Sequence, residues 1–120
     1  MQSLWNDDEA RQFCDRYRAC GETLALRVYT SRLIGRDPEL VLHGGGNTSC
    51  KTVQRDLLGR DVAVLCVKGS GSDIADVEPA GLPAVRLEPL RELRVLGSFI
   101  NPFVHRRAGD MKPCFPVAAY

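Results

Sequence analysis

Two glycine-rich stretches hold the residues most able to do chemistry. In Gly44-Gly45-Gly46-Asn47-Thr48-Ser49 the glycines have no Cβ, so backbone N–H groups can converge on an anion. Asn47 and Ser49 add side-chain donors, and Lys51 adds a positive charge close by. Lys68-Gly69-Ser70-Gly71 repeats the recipe with a lysine, small residues and one hydroxyl. Two such loops meeting at the ends of neighbouring strands would cradle a phosphate group. On spacing alone the same stretches read equally well as tight turns. Standard phosphate motifs do not fit. A P-loop needs Gly-Lys at its sixth and seventh positions, but counting from Gly44 the sixth is Ser49 and from Gly46 it is Lys51. A dinucleotide fingerprint starting at Gly69 would need glycine where Ile74 stands.

Other reactive side chains are sparse. The chain has two histidines, His43 and His105, and three protein ligands for a metal cannot come from two histidines without a carboxylate or cysteine. Both are expected to be structural or exposed. The five cysteines (Cys14, Cys20, Cys50, Cys66 and Cys114) are odd in number and contain no C-x-x-C pair, so reduced, buried thiols are expected. Glu78, Glu88 and Glu92 stand in no recognisable catalytic context, and solvated or capping roles are expected of them.

The elements that must position the loops come on either side of them. Ala10, Phe13, Cys14, Tyr17, Leu24 and Val28 recur at helical spacing, with Arg11, Asp15 and Arg18 opposite. Asn6 is a cap, Glu9 stands where a capping box needs it, and Trp5 precedes the cap as a hydrophobic staple would. Gly21 interrupts the pattern, which suits two helices as well as one. Gly35, as a left-handed terminator, and Pro38 end the run. Strands are expected at Leu40-Val41-Leu42, from Cys50 to Val53 and from Asp61 to Val67, the last two joined by a hairpin turning at Gly59. Pro79, Gly81 and Pro83 make an irregular stretch, and a short helix is expected from Leu87 to Leu96. The fold class is therefore α/β, with N-terminal helices packed on a mainly antiparallel sheet. Residues 1–96 form one domain and residues 97–120 an irregular tail, which either straps the sheet through Phe99, Phe103, Phe115 and Tyr120 or is poorly ordered.

The segments Leu24 to Lys51 and Val64 to Leu87 resemble the N-terminal part of class II aldolase/adducin-type proteins. The likeness is greatest to the aldolase half of bifunctional rhamnulose-1-phosphate aldolase/alcohol dehydrogenase proteins. It rests on the paired signature H-G-G-G-N-T-S and V-K-G-S-G-x-D. In that family a G-N-x-S element and a following S-G or T-G element bind the substrate's phosphate. The resemblance assigns this role to Gly46, Asn47 and Ser49, then to Ser70 and Gly71, with Lys51 and Lys68 as electrostatic support. Relatives carry tryptophan where Ser72 stands. The family's zinc is held by three histidines, two of them in an H-x-H element, and a glutamate serves as acid/base. Neither His43 nor His105 has an H-x-H partner, so no metal or other cofactor and no catalytic residue is expected here. The resemblance implies a truncated aldolase-like domain that binds a sugar phosphate or inorganic anion without cleaving it alone. The alternative is a non-catalytic, adducin-like interaction or oligomerisation module, and on either reading the open sheet edge is expected to be covered by the tail or by a second copy in a homo-oligomer.

Composition bounds these readings. At 120 residues, with 44% hydrophobic and 26% charged residues, the chain is the size of one domain with its own core. A net charge of +1 lacks the basic excess that nucleic-acid binding needs, so no nucleic-acid partner is expected. No apolar run approaches the roughly 18 residues of a membrane span, and the acidic start is no signal peptide. No membrane partner is expected, and the chain is expected in the cytoplasm.

Overall fold

The computed structural model describes residues 3–42 and 44–92. Helix α1 (Asp7–Arg16) begins where Asn6 lets it, its Oδ1 accepting from the amides of Asp8 (2.8 Å) and Glu9 (3.1 Å). The reciprocal half of a capping box is replaced by a tertiary contact. The Asn6 amide donates to the Tyr29 hydroxyl at 2.9 Å, and the Trp5 ring packs edge-on against Tyr29 at 5.1 Å. A short 3₁₀ turn (Arg18–Cys20) follows α1 and ends at Gly21, whose φ of 85° separates it from α2 (Glu22–Gly35). There are two helices, and α2 is buried at Leu24, Ala25, Val28, Tyr29 and Ser31.

The sheet is a three-stranded antiparallel ladder in the order β1 (Ser49–Arg55), β2 (Asp61–Val67), β3 (Ala84–Arg86). In β1 and β2 burial alternates, as expected of a sheet with one face on a core. Cys50, Val64 and Cys66 face Leu24 and Val28, and Val77 and Leu82 complete the cluster from the segment between β2 and β3. The hairpin turns at Gly59 (φ 75°), closed by the Asp56 amide donating to the Arg60 carbonyl at 2.9 Å. Helix α3 (Leu87–Glu92) follows β3 directly. The expected helix beyond Glu92, the tail and His43 lie outside the described residues. Among the described residues no helix is long and apolar enough to cross a membrane.

Two local expectations are corrected. Leu40-Val41-Leu42 is no strand: the amides of Leu40 and Val41 both donate to the Asp37 carbonyl at 3.1 Å, coiling the chain into a turn that leaves Leu42 exposed. Gly35 does not adopt a left-handed conformation. Glycine is needed there because a Cβ would stand 2.4 Å from the Ala75 backbone nitrogen, so α2 ends in direct backbone contact with the Ile74–Ala75 loop. The stretch from Pro79 to Pro83 is irregular as expected, and a strand the sequence did not show, β3, begins right after it at Ala84.

Candidate functional site

The β1–β2 register decides where the two glycine loops meet. Ser49 pairs with Val67, and the Lys68 amide donates to the Thr48 carbonyl at 2.9 Å, so both loops leave the same end of the ladder. Asp73 links them again. Its Oδ2 accepts from the Gly44 amide at 3.4 Å, and its Oδ1 from the Ala75 amide at 3.0 Å. Gly46 takes φ 77°, and a Cβ there would press on Ile74 Cδ1 and Val41 Cγ1 at 3.3 Å. A side chain at this position would be strained by its backbone and would push the loops apart.

Between the first loop and α2 lies an open cleft of about 400 Å³. Gly46, Asn47, Thr48 and Ser49 line one side; Arg27 and Ile34 of α2, with Val41 and Ile74, line the rest. No carboxylate is among these residues. A buried hydrogen-bond chain fixes the loop to the helix. Ser31 Oγ lies 2.6 Å from the Arg27 carbonyl oxygen and 3.0 Å from Thr48 Oγ1. With one proton, the Ser31 hydroxyl donates to the carbonyl and accepts from Thr48.

Of the residues expected in a phosphate site, Gly46, Asn47 and Ser49 line the cleft. Ser70 and Gly71 lie in the exposed turn after β2, at the same end of the ladder but not among the lining residues. Lys51 is exposed and alternates with buried Cys50, placing it on the opposite face of the sheet. Lys68 Nζ donates to the neighbouring Gly69 carbonyl at 3.2 Å. Neither lysine lines the cleft.

Sequence reasoning missed Arg27. Its Nε is buried and has no hydrogen-bond partner among the described residues. Leaving such a donor unsatisfied costs about 1–3 kcal/mol, and more on a charged group. The signal was present. Arg27 falls three residues after Leu24 and four before Ser31, a cation on the buried side of α2.

Other titratable groups serve the frame. Glu78 accepts from the Tyr17 hydroxyl on Oε2 and from Arg32 on Oε1, and Arg32 Nε donates to the Val77 carbonyl at 2.9 Å. The Tyr17 hydrogen bond first, and then Arg32, hold the Glu78 carboxyl below its ordinary range. Glu78 thus ties the segment after Ile74 to both helices, a structural role more specific than the solvated or capping one expected. Cys50 and Cys66 are buried cross-strand neighbours with free thiols. Burial pushes the Cys66 thiol up to about 11, the marks of an unreactive core cysteine. Among the described residues no group of three or more His, Cys, Asp or Glu side chains is placed to hold a metal ion.

Comparison with known proteins agrees with this architecture. No protein-family model matches the chain. A solved N-terminal class II aldolase domain of a conserved protein from Thermoplasma acidophilum is 40% identical with a TM-score of 0.55, over 73% of this chain and 36% of that one. An uncharacterized oxidoreductase, YuxG, of Bacillus subtilis (strain 168) is 46% identical over 93 residues, 78% of this chain. The chain spans 12% of the length of that curated relative. In sequence and fold the chain resembles part of an N-terminal class II aldolase domain, and its described residues carry a partial class II aldolase fold. An oxidoreductase many times longer than the matched segment is consistent with an aldolase-like portion fused to a dehydrogenase.

Proposed function

We propose that the chain binds the phosphate of a sugar phosphate, or an inorganic anion, at the end of the β1–β2 ladder. Gly46, Asn47 and Ser49 supply donors from the cleft, and Ser70 and Gly71 close over the anion from the neighbouring loop. The observation that carries this reading is the Lys68–Thr48 hydrogen bond, which brings both glycine loops to one end of the sheet beside a cleft free of carboxylates. Kinship in fold with a class II aldolase domain supports a phosphorylated sugar as ligand. On this reading the chain works in the cytoplasm, holds no metal of its own and does not perform aldol cleavage alone, because two histidines cannot build a three-histidine centre. The test is calorimetric titration of the intact chain with a ketose 1-phosphate and with the unphosphorylated ketose, followed by a cleavage assay. Binding of the phosphorylated sugar alone, without cleavage, is expected. Equal binding of both sugars would remove the phosphate site, and cleavage would remove the claim of inactivity.

A second reading, an interaction or oligomerisation module, is favoured by one feature. Among the described residues no strand pairs with the outer edge of β1, and Val53, Leu57 and Leu58 stand exposed on that strand and the adjoining hairpin tip. Light scattering over a concentration series reports on it, since a monomer throughout would exclude self-association at this edge.

A further inference from the structure

We propose that Arg27 is the charged ligand of the cleft, where its guanidinium selects a doubly negative phosphate over a neutral or singly charged group. This rests on the anion-binding reading above and adds a residue outside both glycine loops. Arg27 projects from α2 into the cleft that Gly46, Asn47 and Ser49 line from the other side. Its Nε is buried without an acceptor among the described residues, and no acidic side chain lines the cleft. Arg32, on the same helix, shows what a satisfied arginine looks like here: it holds Glu78 and the Val77 carbonyl. A guanidinium keeps its charge at every accessible pH and offers a planar fork that matches two phosphate oxygens. The hydroxyl, amide and backbone donors opposite are neutral, so they reward a second negative charge less than a guanidinium does. Burial raises the Cys50 thiol above its ordinary range, and the nearby Arg27 charge offsets part of that rise. The Ser31–Thr48 link, anchored on the Arg27 carbonyl, holds the donor loop at a fixed distance from the same helical turn.

The experiment titrates inorganic phosphate into the intact chain, following arginine Nε–H resonances by NMR. Affinities are then measured for wild type, Arg27→Gln, Arg27→Lys and Asn47→Ala, below and above the second ionisation of phosphate. The Arg27 Nε–H signal is expected to move on binding. Arg27→Gln should weaken binding about tenfold or more and shrink the gain on forming the dianion, with Arg27→Lys keeping more of both. If Arg27→Gln does not fold, the resonance shift in the wild-type chain decides. An unmoved Arg27 signal at saturation, unchanged affinity in Arg27→Gln, or equal losses in the Gln and Lys variants would overturn the role of Arg27. Should Asn47→Ala still weaken binding in that case, the glycine-loop reading survives it. Phosphate that fails to bind the intact chain, or binds unaffected by Asn47→Ala and Arg27→Gln, overturns both.

Discussion

Ser31 shows how a single hydroxyl couples helix and loop. It is buried at 1% exposure and joins the Arg27 carbonyl to Thr48, so removing it leaves the Thr48 hydroxyl short of a partner. Ser31→Ala is expected to cost about 1–3 kcal/mol in urea denaturation and to weaken phosphate binding by loosening Asn47 and Ser49. Unchanged stability and affinity would show that the link does no positioning. Asp56 makes a local counterpart in the hairpin. Its Oδ1 accepts from the amides of Leu58 (2.8 Å) and Arg60 (3.0 Å), and its Oδ2 from Arg60 Nε (2.9 Å) and Nη2 (2.7 Å). Chiefly through the Arg60 side chain, its carboxyl is lowered to about 2. A carboxylate with a depressed folded pKa stabilises fully above its unfolded value, near 4, and the contribution disappears as pH falls through the folded one. The stability difference between wild type and Asp56→Asn should therefore be constant above about pH 5 and shrink toward pH 2. A difference independent of pH would contradict this. At this scale the sequence was legible where chemistry is local, as at Asn6, whose cap needs only the three residues after it. Arg27 was hidden because its meaning depends on a loop some twenty residues further along the chain.

At the level of elements, legibility followed the length and regularity of the pattern. Both long strands and the turn at Gly59 were readable from alternation and glycine placement, and the observed β2 has the bounds expected of it, Asp61 to Val67. Strand β3 was not, because three residues between Pro83 and Leu87 are too few to show a period. Leu40-Val41-Leu42 misled for the opposite reason, since an apolar triplet resembles a short strand while Asp37 organises a turn through its carbonyl. Gly35 was recognised as a helix terminator, but its physical reason is contact rather than backbone handedness. With Ala75 backbone atoms at 2.4 and 2.6 Å from a built Cβ, and the carbonyl carbon of Ile74 at 2.7 Å, nothing flexible can yield. Gly35→Ala is expected to cost roughly 1–3 kcal/mol and to shift the amides of Ile74 and Ala75, moving one wall of the cleft. Wild-type stability together with unshifted amides would mean that the end of α2 and this loop are not in register as described.

For the molecule as a whole, the segment between β2 and β3 determines whether the fold behaves as one cooperative unit. It is long and irregular, with a 3₁₀ turn at Pro79–Gly81. Yet it sends Val77 and Leu82 into the cluster formed by Leu24, Val28, Cys50, Val64 and Cys66. It is also held at both ends: Glu78 binds Tyr17 and Arg32, while the Gly69 amide donates to the Gly81 carbonyl at 2.9 Å. Helices, sheet and connecting segment therefore share one core, and a cavity opened from the segment must be felt by all three. Leu82, at 2% exposure, is the most sensitive place to open one. Leu82→Ala should destabilise by about 2–5 kcal/mol, with the helical and near-ultraviolet signals lost in a single coincident transition. Because Leu82 is not among the residues lining the cleft, phosphate affinity under folding conditions should stay close to that of wild type. Separate transitions for the two signals, or an unchanged midpoint, would mean that the segment folds apart from the sheet and that the second glycine loop is not held where the first can meet it.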